Sequence, residues 1–170
     1  MKYIKEHKIN FIIITLLSIV IMLILGLDTN KLGHDIGFHV SNIKNLAEEL
    51  DPLHFKFTAP LISENIADNL GYGLYIFYPA LPHLTYAYAY KFLSIFNIDI
   101  LMSILIVNIL VTIISAIFVY LLAYKLCKNK YASLFASTIY ILFPYRLSSI
   151  FIRYSINENF LTLFIPLILI

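Results

Sequence analysis

Residues 100–124 read ILMSILIVNILVTIISAIFVYLLAY. The run carries no charged side chain, and Asn108 is its one strongly polar interruption. A membrane span needs about 20 predominantly apolar residues, each rising ~1.5 Å, to cross a hydrocarbon core of ~30 Å. A run this long with no polar face reads as a span, and that reading decides the fold class.

The rest of the chain agrees with it. The 170 residues are 61% hydrophobic and 13% charged, with a mean hydropathy of +0.85. The net charge of +2 and the lack of a basic stripe exclude a nucleic-acid partner. The single cysteine, Cys127, excludes an internal disulfide. The N-terminus, MKYIKEHKINFIIITLLSIVIMLILGLD, is basic and then apolar over residues 9–27. A signal peptide has an apolar core of ~7–15 residues and a small-x-small cleavage site. This run is longer and has no such site, so we read an uncleaved anchor. Further apolar runs lie at 131–145 (YASLFASTIYILFPY) and 160–170 (FLTLFIPLILI). An eleven-residue helix rises only about 16 Å, and an end in mid-hydrocarbon leaves carbonyls unsatisfied. The run at 160–170 therefore reads as a truncated span whose chain continues.

Residues 78–96, YPALPHLTYAYAYKFLSIF, are different. They hold Pro79, Pro82, His83, Lys91 and four tyrosines, and tyrosine favours the membrane interface. We read an interfacial or re-entrant helix, with a full crossing as the alternative. If 78–96 does not cross, Lys2, Lys5 and Lys8 share the cytoplasmic side with Lys125, Lys128 and Lys130, as the positive-inside rule prefers. Arg146 and Arg153 then fall outside, and residues 28–99 form one large external loop with eight of the ten acids. The expected architecture is all-α: a polytopic transmembrane helix bundle in the cell membrane, N-terminus cytoplasmic, with an external loop containing amphipathic membrane-surface helices.

That loop begins with GHDIGFHVSNIKNLAEEL, residues 33–50. As a helix over 35–50 it has an apolar stripe of Ile36, Val40, Ile43, Ala47 and Leu50. The stripe is expected to face the membrane. Asp35, His39 and Asn42 follow the same rhythm on the neighbouring face, so Asp35 and His39, four apart, point to one side. Asp35 as a plain helix-terminus acid and His39 as a solvated residue is the bland alternative. A second polar cluster, YRLSSIFIRYSINEN at 145–159, sets Arg146, Ser149 and Arg153 at helical spacing, with Glu158 just before the last run. Ionisable groups this close to a span are functional candidates; snorkelling arginines in a hydrated turn are the alternative. Gly71 and Gly73 flank Tyr72 in an expected turn.

Taken in order, the first span, GHDIGFH, a proline before GYGLYIFYP, a lysine-bearing turn, and an arginine and glutamate after the following span resemble the start of a GT-C-type membrane glycosyltransferase. They most resemble the bacterial multi-span proteins labelled 6-pyruvoyl-tetrahydropterin-synthase-related. The resemblance implies a lipid-phosphate sugar donor in the membrane. It implies a key acid in the first external loop, matching Asp35, and a second acid after the third span, matching Glu158, where Asp is more usual. On this reading Asp35 would deprotonate or orient the acceptor hydroxyl, and Arg146 or Arg153 would offset charge on the departing phosphate. Asp35 and Glu158 are the catalytic candidates, and His39, Tyr72, Arg146 and Arg153 the substrate-binding ones. Asp35, His39 and Glu158 could also bind Mg²⁺ or Mn²⁺. The partners expected are membrane lipid and a lipid-linked sugar donor. The rival class is a non-enzymatic membrane protein, such as a lipid or polysaccharide transporter or an assembly subunit.

Overall fold

The computed structural model describes residues 2–27, 33–50 and 71–170. Every regular element among them is helical: α1 (Lys2–Gly26), α2 (Ile36–Glu49), α3 (Leu74–Phe77), α4 (Ala80–Ser94), α5 (Ile100–Cys127), α6 (Lys130–Leu142), α7 (Pro144–Ser148), a π-helical turn (Ser149–Arg153) and α8 (Ile156–Leu169). Stretches 28–32 and 51–70 of the expected loop lie outside the described residues. Three helical stretches are long and apolar enough to cross a membrane: Glu6–Gly26, Ile100–Cys127 and Lys130–Arg153. Helix α4, with 15 residues, is shorter than any of them.

Helices α1 and α5 run antiparallel. At one end, the imidazole of His7 meets the Tyr120 hydroxyl at 2.6 Å, and Glu6 pairs with Lys130 at 2.8 Å. At the other end, Gly26 packs against Leu105 and Phe151. The chain between α1 and α5 therefore leaves and returns at one end of the pair. The turn from α5 to α6 is specified locally. Lys128 adopts a left-handed φ of 53°, and the Asn129 side chain accepts from the N–H groups of Tyr131 and Ala132. That cap satisfies two donors that the first turn of a helix leaves orphaned. Helix α6 then lies close against α5 because the seam is small: Ser115, Ala116, Ser133 and Ser137 are all buried. The Ser137 hydroxyl donates to the Ala116 carbonyl at 3.0 Å. Small polar residues serve helix contacts inside a membrane, where lipid offers no hydrophobic penalty to helix separation. Ile9, Leu16 and Ile24 on α1 face outward and are among its most exposed side chains.

Two boundaries differ from expectation. The run expected at 131–145 breaks at Phe143 and continues through α7 and the π-turn to Arg153. Pro144 causes the break: the residue before a proline is driven from the helical region, and Phe143 sits at φ −62°, ψ 120°. The last apolar run starts at Ile156 rather than 160, so Glu158 and Asn159 lie in the first turn of α8.

Helix α2 also packs differently. Its buried face is Ile36, His39, Asn42, Ile43, Leu46 and Ala47. The expected stripe faces protein rather than the bilayer: Ile43, Leu46, Ala47 and Leu50 join Leu84, Tyr86 and Ala87 of α4 and Ile100 and Ile104 of α5 in one core. His39 turns inward with it to meet His83 of α4, and the inward Asn42 donates to the Phe38 carbonyl of its own helix at 2.8 Å. Lys91 of α4 donates to the carbonyls of Ala47, at 2.8 Å, and Leu50. It thereby closes the C-terminal turn of α2, whose carbonyls have no partners within the helix.

Candidate functional site

Asp35 and Arg153 are joined through their backbones. The N–H of His34 donates to the Ile152 carbonyl at 3.0 Å, and the N–H of Asp35 to the Arg153 carbonyl at 3.2 Å. Gly33 permits this approach. A Cβ at position 33 would lie 2.7 Å from the Ile152 oxygen and 2.3 Å from the Tyr154 ring, both inside van der Waals contact. Asp35 takes the N-cap position of α2, yet its side chain makes no capping bond, and the residue is exposed. Its carboxylate thus stands at the positive end of a helix dipole and is open to solvent.

The guanidinium of Arg153 is held in place by its neighbours. Arg153 Nη1 and Nη2 donate to the two carboxylate oxygens of Glu158 at 3.1 and 2.9 Å. The Ser149 hydroxyl donates to the same carboxylate at 2.9 Å, and the Tyr145 hydroxyl at 3.3 Å. The wider π-helical turn sets this geometry by bringing Ser149 and Arg153 onto one side. It ends with Tyr154 in the left-handed region at φ 56°, where the Ser155 N–H returns to the Ser149 carbonyl at 2.9 Å. The Arg153 and Glu158 side chains remain 43% and 39% exposed. Solvent screening at such exposure leaves the ion pair little to add to stability. Its two-point geometry instead fixes the direction of Arg153.

Arg146, a residue expected to bind substrate, turns into the bundle instead of toward Glu158. It is only 4% exposed. Its Nη2 donates to Thr112 at 2.8 Å and to Asn159 at 3.3 Å. Asn159 donates to Asn108 at 2.7 Å, and the Tyr86 hydroxyl donates to the same Asn108 oxygen at 2.6 Å. The Tyr140 ring lies 5.0 Å from the guanidinium carbon. The network joins α4, α5, α6, α7 and α8 within the bundle.

His39 also turns inward. It is 3% exposed, and His83 is fully buried. His39 Nδ1 and His83 Nε2 lie 2.9 Å apart with one proton between them. Burial disfavours the imidazolium in both. It lowers His39 against a counter-pull from Asp35, and with repulsion from His39 it drives His83 down to about 3. Tyr72 is about half exposed and sits beside Gly71, whose φ of 80° supplies the turn. Among the described residues, no group of three His, Cys, Asp or Glu side chains converges as metal ligands. Of the three residues named as possible ligands for Mg²⁺ or Mn²⁺, His39 turns to His83 and Glu158 is engaged by Arg153, while Asp35 is exposed.

Beside the Arg153 turn lies a groove of about 430 Å³, lined by Leu25, Pro144, Leu147, Ser148, Phe151, Ile152 and Tyr154. It runs between the end of α1 and the α7–π segment and is mostly apolar, with Ser148 and Tyr154 as its polar side chains. Thr112 and Asn159 are polar residues that sequence reasoning did not single out, and it read His83 and Tyr86 only as marks of an interfacial helix. The signal for them is a polar side chain within a run otherwise fit for lipid, as Asn108 shows. No protein-family model, curated protein or solved structure matches this chain.

Proposed function

We propose that this chain is part of a multi-pass membrane glycosyltransferase that takes its sugar from a lipid-phosphate donor at the outer membrane face. The observation that carries the proposal is the backbone pairing of Asp35 with Arg153. It joins the backbone of an exposed acid to the backbone of the turn that carries Arg153, and residues of that turn line a mostly apolar groove. Transfer from a lipid phosphate needs these three things: a base for the acceptor hydroxyl, a cation for the departing phosphate, and an apolar channel for the lipid chain. Asp35 is the base. Arg153 meets the phosphate, and Glu158 with Ser149 positions Arg153. The N-terminus and the α5–α6 lysine turn lie on the cytoplasmic side, opposite the site.

The test is Asp35→Asn, assayed as glycan transfer in membranes at matched protein levels. The change is nearly isosteric at an exposed position. It removes a helix-terminus charge worth roughly 0.3–1 kcal/mol, too little to unfold the bundle. Loss of a general base lowers the rate by ~10²–10⁴-fold. Product formation should therefore fall at least about a hundredfold with abundance unchanged. Activity equal to wild type would refute the assignment of Asp35.

A further inference from the structure

Helices α2 and α4 form a cleft of about 450 Å³ that the proposed transfer site does not use. Lys44, Ala47 and Glu48 of α2 and Tyr90, Lys91 and Ser94 of α4 line it. Lys44 is nine residues beyond Asp35, about 13 Å along α2. Lys44 and Glu48 stand one turn apart on one side of the helix and are both exposed. Among the described residues neither forms an ion pair. Lys91 reaches the cleft from the other wall. Its ammonium has three N–H donors, and two of them go to the carbonyls of Ala47 and Leu50. One remains for an occupant.

The cleft offers both signs of charge, and that selects its occupant. Lys91 sits at the C-terminal end of α2, where the helix dipole sets about half a negative charge against it. Lys44 keeps its full charge, and Glu48 opposes it. A simple anion meets little net charge here. A group with an anionic phosphate and an N–H-bearing ammonium satisfies every member: the phosphate oxygens accept from Lys44 and Lys91, and the ammonium donates to Glu48. The adjoining face of α4 shows where such a group comes from. Phe92, Ile95 and Phe96 are 62%, 71% and 63% exposed, and the span over Ile100–Cys127 begins just after them. Lysine and glutamate stay on the water side of a bilayer, while exposed Phe and Ile beside them bury in the headgroup–acyl boundary. The cleft therefore lies at headgroup level. We propose that it binds the headgroup of a phospholipid with a primary amine, of the phosphatidylethanolamine class, whose acyl chains lie against Phe92, Ile95 and Phe96.

The test is native mass spectrometry of the protein released from nanodiscs that hold equal amounts of phosphatidylethanolamine, phosphatidylcholine and phosphatidylglycerol with the same acyl chains. The choline lipid has no N–H to give Glu48, and the glycerol lipid has no cation. A charge contact at a membrane surface is worth up to about fivefold in affinity. The ethanolamine lipid should therefore be retained at least about threefold over each of the other two. Glu48→Gln should erase that preference, and Glu48→Asp should keep part of it. Lys44→Gln should lower retention of the ethanolamine lipid by about threefold. All three variants change exposed side chains, and Lys91, which closes α2, stays in place. Equal retention of the three lipids would overturn the proposal, as would a preference that survives Glu48→Gln. Stronger retention of phosphatidylglycerol would show a general anionic-lipid surface and also overturn it. So would binding of soluble phosphoethanolamine that Lys44→Gln removes, with no preference among the lipids, since the occupant would then be a soluble phosphate.

Discussion

Acidification should loosen α2 from α4, because the contact between them encloses two neutral imidazoles. His39 and His83 meet at 2.9 Å inside the α2–α4 seam, and burial is the main cause that lowers both. A histidine whose folded value lies below its unfolded value of ~6.5 favours folding in its neutral form. Its contribution is complete above about pH 6.5 and is lost as pH falls from there toward the folded value. For His83 that window runs from about 6.5 to about 3. A pH of 5 lies about 1.5 units below the unfolded value, which corresponds to about 2 kcal/mol, or about thirtyfold in the equilibrium for opening. His39 shifts in the same direction and adds to it, less strongly because Asp35 offsets its desolvation.

The measurement is amide hydrogen exchange on the protein in lipid nanodiscs between pH 7.5 and 4.5, corrected for the intrinsic pH dependence of exchange. Peptides from α2 and α4 should lose protection by at least about tenfold at pH 5, while peptides from the middle of α5 keep theirs. His83→Gln removes the titrating group with the larger shift, so the slope of protection against pH should fall by more than half. Protection in α2 that is unchanged between pH 7.5 and 5, or a slope in His83→Gln equal to wild type, would refute the reasoning.

Two further outcomes test the architecture. Cys127, the only cysteine, is exposed next to the lysine turn. In right-side-out vesicles a membrane-impermeant maleimide should label it only after permeabilisation, and ready labelling from outside would invert the proposed topology. Gly33→Ala places a Cβ against the Ile152 carbonyl and the Tyr154 ring, whereas Gly37→Ala places one in open space. The first should cost about 1–3 kcal/mol, as overpacking does, and speed exchange at residues 33–36. The second should be neutral or mildly stabilising, and equal effects from the two would rule out the close approach at Gly33.

Apolar length is a property of single residues in a row, and the spans were legible from it. Residues 100–124 and the helix found at 100–127 differ only by the lysine-end turn. Helix α2 was legible for the same kind of reason, since its apolar period survives in the structure. What the period could not show is the partner. A polar residue beside an apolar stripe looks solvated until a neighbouring helix is known to carry its complement, as His83 does for His39 and Lys91 for the end of α2. The two arginines make the case more sharply. Arg146 and Arg153 lie seven apart, and an unbroken α-helix would put both on one face. The π-turn over Ser149–Arg153 widens the helix between them. As a result Arg146 enters the bundle to meet Thr112 and Asn159, while Arg153 stays at the surface with Glu158. One extra residue in a turn thus separates a buried charge from a surface one paired with Glu158. Single insertions of that kind carry no periodic signature, and for this reason the two arginines read alike in the sequence.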